Sequence, residues 1–271
     1  MKYYLVILVS LFVSKAFSQS YFVLDSGITL SVDREGFVYD YNHHTPVSRV
    51  TIKGGQYLIE DTNVLVTVDQ RGSLFRKFEI LPESIIGKGS NYFIGANNLF
   101  YGIDNEGYVN LVELDNKMKN PVKFGGNFFT TENDFYVVNE KGAFIKATAE
   151  GVKPSDIIIL GGNYFMTNRG VVYTVADDGR IISQKAFRVG IIQKKGGNYF
   201  VDTAGSIYTV SSAGELKLPS IPMSLRIPAI SRLGTNYFMD GAGKLFTVDH
   251  LGNVFERWIN YDVKSTSILS L

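Results

Sequence analysis

The side chains able to do chemistry in these 271 residues recur in columns. One column is acidic in part: Asp33, Asp69, Asp104, Asn139, Ala176, Ser211 and Asp249, each three residues before a glycine. A ring of carboxylates would attract a hard cation such as calcium. The exchanges to Asn, Ser and Ala point instead to a β-turn, whose first residue accepts a backbone N–H and whose glycine is left-handed. A second column is amide: Asn91, Asn127, Asn163, Asn198 and Asn236, each after Gly-Gly or a close variant. Such a column could bind something repeated. The plainer expectation is a hairpin in which glycine supplies a positive φ and Asn tolerates it. A third column is basic: Lys53, Lys88, Lys123, Lys194, Lys195 and Arg232. Converging, these would bind an anion; diverging, they are solvated strand ends, which a net charge of only +1 favours.

Other reactive groups are few. His43 and His44 could meet on a metal if their loop folds back, but no third ligand is evident and exposed histidines are the simpler reading. His250 falls in a turn, and Trp258 reads as packing on an outer strand. The absence of cysteine excludes disulfides, thiolate catalysis and Cys-ligated zinc. No Ser-His-Asp set or carboxylate pair stands out. Catalytic residues, metal ligands and cofactors are therefore all expected to be none.

The elements that must position these columns follow from a repeat. Its first aromatic is Tyr21, Tyr57, Tyr92, Phe128, Tyr164, Tyr199 and Tyr237, in steps of 35 to 38 residues. The next residue is Phe22, Leu58, Phe93, Phe129, Phe165, Phe200 and Phe238. A fixed period of this size means a solenoid, a propeller or an array. Residues 190–218 divide into four strands: a over Ile191–Gln193, b over Asn198–Asp202, c over Ser206–Val210 and d over Glu215–Leu218. Aromatic and β-branched residues fill the strands; Gly, Asn and Asp fill the turns.

Tyr199 and Phe200 are consecutive, so they point to opposite faces of the sheet and both faces must be covered. Radial stacking of like sheets does this. The expected fold is an all-β, seven-bladed β-propeller with four antiparallel strands per blade. The chain enters at strand b of blade one, and the tail from Val263 to Leu269 reads like a strand a, so the tail is expected to complete blade one and close the ring. The chain thus resembles β-propeller repeat proteins over residues 19–271. The hairpin from Phe246 to Gly252, Phe-Thr-Val-Asp-His-Leu-Gly, is similar to hairpins of quinoprotein-like and tachylectin-like propellers, at the level of fold. The Gly-His and Trp-Asp signatures of WD40 repeats are missing.

Residues 1–18 read as a secretory signal: Lys2, an apolar run from Tyr3 to Val13, then Ala16-Phe17-Ser18 at the cut. Cleavage removes Lys2 and Lys15 and no acid, which takes the net charge from +1 to −1. The mature chain, 19–271, is expected to be one propeller domain in the periplasm or medium, monomeric, with no membrane span and no affinity for nucleic acid.

Almost no chain lies outside the repeats, which favours a binding or scaffold propeller over the alternative, a hydrolase or lyase with its site at the channel mouth. The a–b and c–d turns are nearly uniform from blade to blade. The b–c and d–a connections vary: His43 and His44, Asp61, Asn97 and Asn98, Lys117 and Lys119, Glu132 and Asn133, Asn168 and Arg169, Arg188, and Arg226. Specific recognition needs different groups at different places, so a protein or glycan partner is expected on this varied face.

Overall fold

The computed structural model describes residues 20–23, 29–40, 49–77, 81–115, 118, 120–225 and 227–259. Among them are seven antiparallel sheets arranged as blades. Blade one has three described strands, Ser20–Val23, Thr29–Val32 and Val38–Asp40; each of the other six has four, paired in chain order. The helical content of the described residues is two single 3₁₀ turns, Pro154–Asp156 and Ile227–Ala229. The tail proposed to complete blade one, and the signal segment, lie outside the described residues.

The alternation of the repeat dictates the packing. In blade five, Tyr164 pairs across the sheet with Thr174, and Phe165 with Tyr173. Tyr164 then packs with Ile192, Phe200 and Tyr208 of blade six. Phe165 turns the other way and packs with Phe128, Phe135 and Val137 of blade four. The same division recurs around the molecule, and strands b and c are buried along their lengths in blades two, five, six and seven. Each such aromatic contributes about 2–3 kcal/mol on burial. The ring closes: Phe22, Leu30 and Val32 of blade one share a core with Tyr237, Met239 and Leu245 of blade seven.

Two hydroxyl columns clip blades to their successors, except at blade four, which has Phe128 and Val137 in the two positions. The Tyr21 hydroxyl donates to Tyr57 O at 2.8 Å, Tyr57 to Tyr92 O at 3.0 Å, Tyr92 to Phe128 O at 2.7 Å, Tyr164 to Tyr199 O at 3.2 Å and Tyr199 to Tyr237 O at 2.7 Å. Phe128 has no hydroxyl to give. Further out, Ser31, Thr67, Thr174 and Thr209 each donate to the turn glycine of the following blade, and Thr247 donates to Gly36 O at 2.8 Å across the closure.

The c–d turns hold their form through the first-position side chain. Asp69 Oδ1 accepts the amides of Arg71 at 2.9 Å and Ser73 at 2.7 Å, and Gly72 follows at φ 80°. Asn139 and Asp249 do the same. The acidic column is thus engaged in turns, with its carboxylates committed to backbone.

The glycine pairs differ from expectation. None of Gly161, Gly162, Gly196 and Gly197 has a positive φ. They are small because of close approach: a Cβ on Gly161 would overlap the Tyr164 ring, and one on Gly162 the Gly197 backbone of the next blade. Sequence alone cannot separate these two uses of glycine, because the second depends on a neighbouring blade.

Candidate functional site

The a–b turns meet at the molecular axis. Asn163 N donates to Gly197 O, Asn198 N to Thr235 O, and Gln56 N to Ser90 O, each a link between adjacent blades. A Cβ on Gly55 of blade two would come within 3.0 Å of Thr235 of blade seven, with blade one between them. Strand a is therefore innermost, and the a–b turns pinch the axis. The c–d turns lean in above them: Gln70 N donates to Asn105 O, Asn105 N to Glu140 O, Asp177 N to Ser212 O, Ser212 N to His250 O, and His250 N to Arg34 O.

Between these two layers is an axial cavity of about 30 Å³, room for one or two waters or a single ion. Its wall includes Asn91, Asn127, Asn163 and Asn198 from the a–b turns, and Val138 and Val210 from the ends of strand c. Its mouth carries the second residue of successive c–d turns: Asn105, Glu140, Asp177, Ser212 and His250. The Oδ1 atoms of the four wall asparagines, and of Asn236, are out of solvent and accept no hydrogen bond. Left so, each costs about 1–3 kcal/mol. Asp177 keeps some solvent contact as a residue, yet its Oδ2 has neither solvent nor a partner. Burial, with Glu140 and Asp178 close by, pushes its carboxyl well above the usual carboxylate range, against a hydrogen bond from Asn127.

The second turn position went unnoticed in the sequence. It reads Arg34, Gln70, Asn105, Glu140, Asp177, Ser212 and His250, a different side chain in every blade. The signal was present: a variable position inside an otherwise repeated turn. The turn face is therefore less uniform than expected. A shallower bowl at the same end is lined by Arg34, Gln70, Asp104, Glu106 and Lys141, among others.

The basic column divides by register. Lys123 and Lys194 occupy one position of strand a and reach the next blade, Lys123 Nζ donating to Ile157 O at 2.7 Å and Lys194 Nζ to Ile230 O at 2.5 Å. Arg232 shares that register. Lys53, Lys88 and Lys195 sit one residue later, and Lys88 Nζ reaches back to Lys53 O at 3.2 Å. Burial, and then the Lys88 charge, lower the Lys53 ammonium pKa. Three of these cations, Lys88, Lys123 and Lys194, are thus tied to backbone carbonyls across blade boundaries.

The opposite end gathers the b–c turns and d–a connections. Asp61 N donates to Arg49 O, Ala96 N to Ser84 O and Asn168 N to Asp156 O, which ties these b–c turns to the chain entering strand a. Asp61, Asn97, Glu132, Asn133, Asn168, Arg169 and Arg188 are exposed there. Asn98 stands at φ 63°, the place that Gly170 and Gly205 take in other blades, so its identity answers to the turn. His43, His44, Lys117, Lys119 and Arg226 lie outside the described residues. Strand a carries a β-bulge in five blades. The residue at that step is exposed: Ile86, Val122 at the matching position, and Ile158 in blades three to five, but Thr51, Gln193 and Ser231 in blades two, six and seven. Ile158 is 60% exposed, and Ile191, two residues before Gln193 in blade six, is 70% exposed.

No family model matches the chain, and no curated protein matches it. Solved structures similar in fold include virginiamycin B lyase from Staphylococcus aureus, 17% identical, with 85% of this chain and 87% of that one covered and a TM-score of 0.36. PorZ, a surface component of the type-IX secretion system of Porphyromonas gingivalis, is 10% identical, with 91% of this chain and 40% of that one covered and a TM-score of 0.34. BamB from Moraxella catarrhalis is 14% identical, with 93% and 91% covered and a TM-score of 0.27. The fold is an all-β ring of seven antiparallel blades, a β-propeller.

Proposed function

We propose that this chain is an exported, non-catalytic recognition propeller that takes a partner on the end carrying the b–c and d–a connections, over the channel mouth. The observation that carries this reading is the uneven inner wall at that end. Its bulge residues form an aliphatic arc, Ile86, Val122 and Ile158, continued by Ile191, opposite a polar arc of Thr51, Gln193 and Ser231. Exposed aliphatic side chains on a rigid inner strand cost stability in water and add affinity when covered. A glycan would favour aromatic faces, so an apolar protein segment suits this arc better than a sugar. Arg169 and Arg188, exposed on nearby connections, add direction.

The export signal and the partner are tested together. The mature protein, immobilised, is incubated with the secreted and periplasmic proteins of its host and with a panel of glycans. N-terminal sequencing of the native protein should begin at Gln19. Ile158→Asp with Ile191→Asp, or Arg169→Glu with Arg188→Glu, should abolish capture of the specific partner with an unchanged melt. Loss of capture with Gln70→Glu and Lys141→Glu instead would move recognition to the turn end. Chemical conversion of the captured partner would replace this reading with the hydrolase or lyase alternative.

A further inference from the structure

We propose that the axial cavity at the turn end is a binding site for a divalent hard cation, Ca2+, held by the amide oxygens of Asn91, Asn127, Asn163 and Asn198 and by the Asp177 carboxylate. This site is at the opposite end of the molecule from the partner surface and does not depend on it.

The amide orientation is imposed by the ring. Asn91 Nδ2 points at Val138 O of the next blade, at 3.5 Å, and Asn236 Nδ2 at Asp33 O across the closure, at 3.2 Å. In these two blades the amide nitrogen serves a carbonyl, and Asn127 hydrogen-bonds to the Asp177 carboxyl, so the oxygen is what remains for the axis. Asn91, Asn163 and Asn198 are at least nine-tenths buried, and their Oδ1 atoms have no donor within the protein. One asparagine would be an accident of packing. The same orphan oxygen in consecutive blades around one cavity is a set of ligands.

Charge gives the sign of the ligand. Glu140 and Asp177 sit on adjacent blades at the mouth, and no lysine or arginine lines the cavity. Waters in this space would satisfy the amides, but the Asp177 carboxyl, pushed toward its neutral form by burial with Glu140 and Asp178 close by, ionises there only with a positive charge beside it. A cation answers both needs at once. The donor set is all oxygen, amide carbonyl and carboxylate, with no sulfur; His250 at the mouth supplies the one imidazole. That chemistry belongs to hard ions. Among them Ca2+ tolerates the irregular ring that separate blades provide, whereas Mg2+ demands a near-octahedral set and gives up water reluctantly.

The test uses the whole mature protein, stripped by dialysis against chelator and titrated with CaCl2 by calorimetry, with melts recorded in parallel. One Ca2+ per chain should bind, and the melting temperature should rise with calcium. Asp177→Asn should weaken binding at least tenfold and abolish the calcium-dependent rise. Asn163→Asp should act in the opposite sense: a lower melt in chelator, tighter calcium binding, and a larger rise. If Asp177→Asn fails to fold, the wild-type titration and the Asn163→Asp variant decide. No binding by the wild type at millimolar calcium, with identical melts in calcium and chelator, would overturn the proposal. So would calcium binding untouched by both substitutions. A response to K+ or Na+ with none to Ca2+ would overturn the assignment to a divalent ion.

Discussion

At the scale of single residues, the most informative position is the one that breaks a column. Five tyrosine hydroxyls bridge to the following blade, and Phe128 cannot. Phe128→Tyr should restore the bridge from blade four to blade five, raising stability by about 1 kcal/mol, while Tyr57→Phe should lower it by a similar amount. Urea unfolding of both variants measures this, and a destabilised Phe128→Tyr would mean the blade-four interface has no space for the oxygen. The tyrosines also set an alkaline limit. Burial raises the pKa of Tyr21, Tyr57, Tyr92, Tyr164, Tyr199 and Tyr237. The folded protein therefore holds these protons after the unfolded chain, with ordinary values near ~10, has begun to lose them. Their stabilising effect is complete below about pH 10 and is lost as pH rises further. Absorbance at 295 nm should show the exposed tyrosines ionising first and these six only with unfolding. Smooth titration of all tyrosines in a folded protein would contradict their burial.

At the scale of the hairpin, the c–d turn combines a local and a non-local demand. Gly142 sits at φ 67°, and a Cβ there would also meet the Gly102 backbone of blade three at 2.9 Å. Gly142→Val should therefore cost well over the ~1 kcal/mol of an ordinary glycine replacement. Asp69→Ala loses two accepted backbone bonds and should cost roughly 1–2 kcal/mol, whereas Asp69→Asn keeps the acceptor and should be nearly silent. Thermal melts of the three variants should fall in that order, and a silent Gly142→Val would contradict the contact with blade three.

At the scale of the whole molecule, blades seven and one already share a core, and Thr247 and Arg257 both donate to Gly36 O. The ring is thus held at the level of strands b to d. The inner edge of blade one has three described strands against four elsewhere. If the tail supplies the fourth, deleting residues 263–271 should expose two strand edges and lower the melting temperature by several degrees, with aggregation. A truncated protein that melts like the full chain would show that the described contacts close the ring without it. Either way, unfolding should be a single transition, because each blade has no core of its own.

The sequence by itself determined the blade count, the strand pattern and the opposite orientation of Tyr164 and Phe165, because period and alternation are one-dimensional properties that hydrophobic burial enforces locally. It also determined the turn role of Asp69 and Gly72, since a β-turn is closed within a few residues. Only the tertiary structure decided why Gly161 and Gly162 are glycine, because the atoms they make room for belong to a tyrosine ring and to another blade. Only it separated Lys123 from Lys88, neighbours in one column but opposite in phase once the bulge in strand a sets the register. And only it brought Asn91, Asn127, Asn163, Asn198 and Asp177, up to 107 residues apart, around one cavity. Their spacing in the chain is the blade repeat; their nearness is a property of the ring.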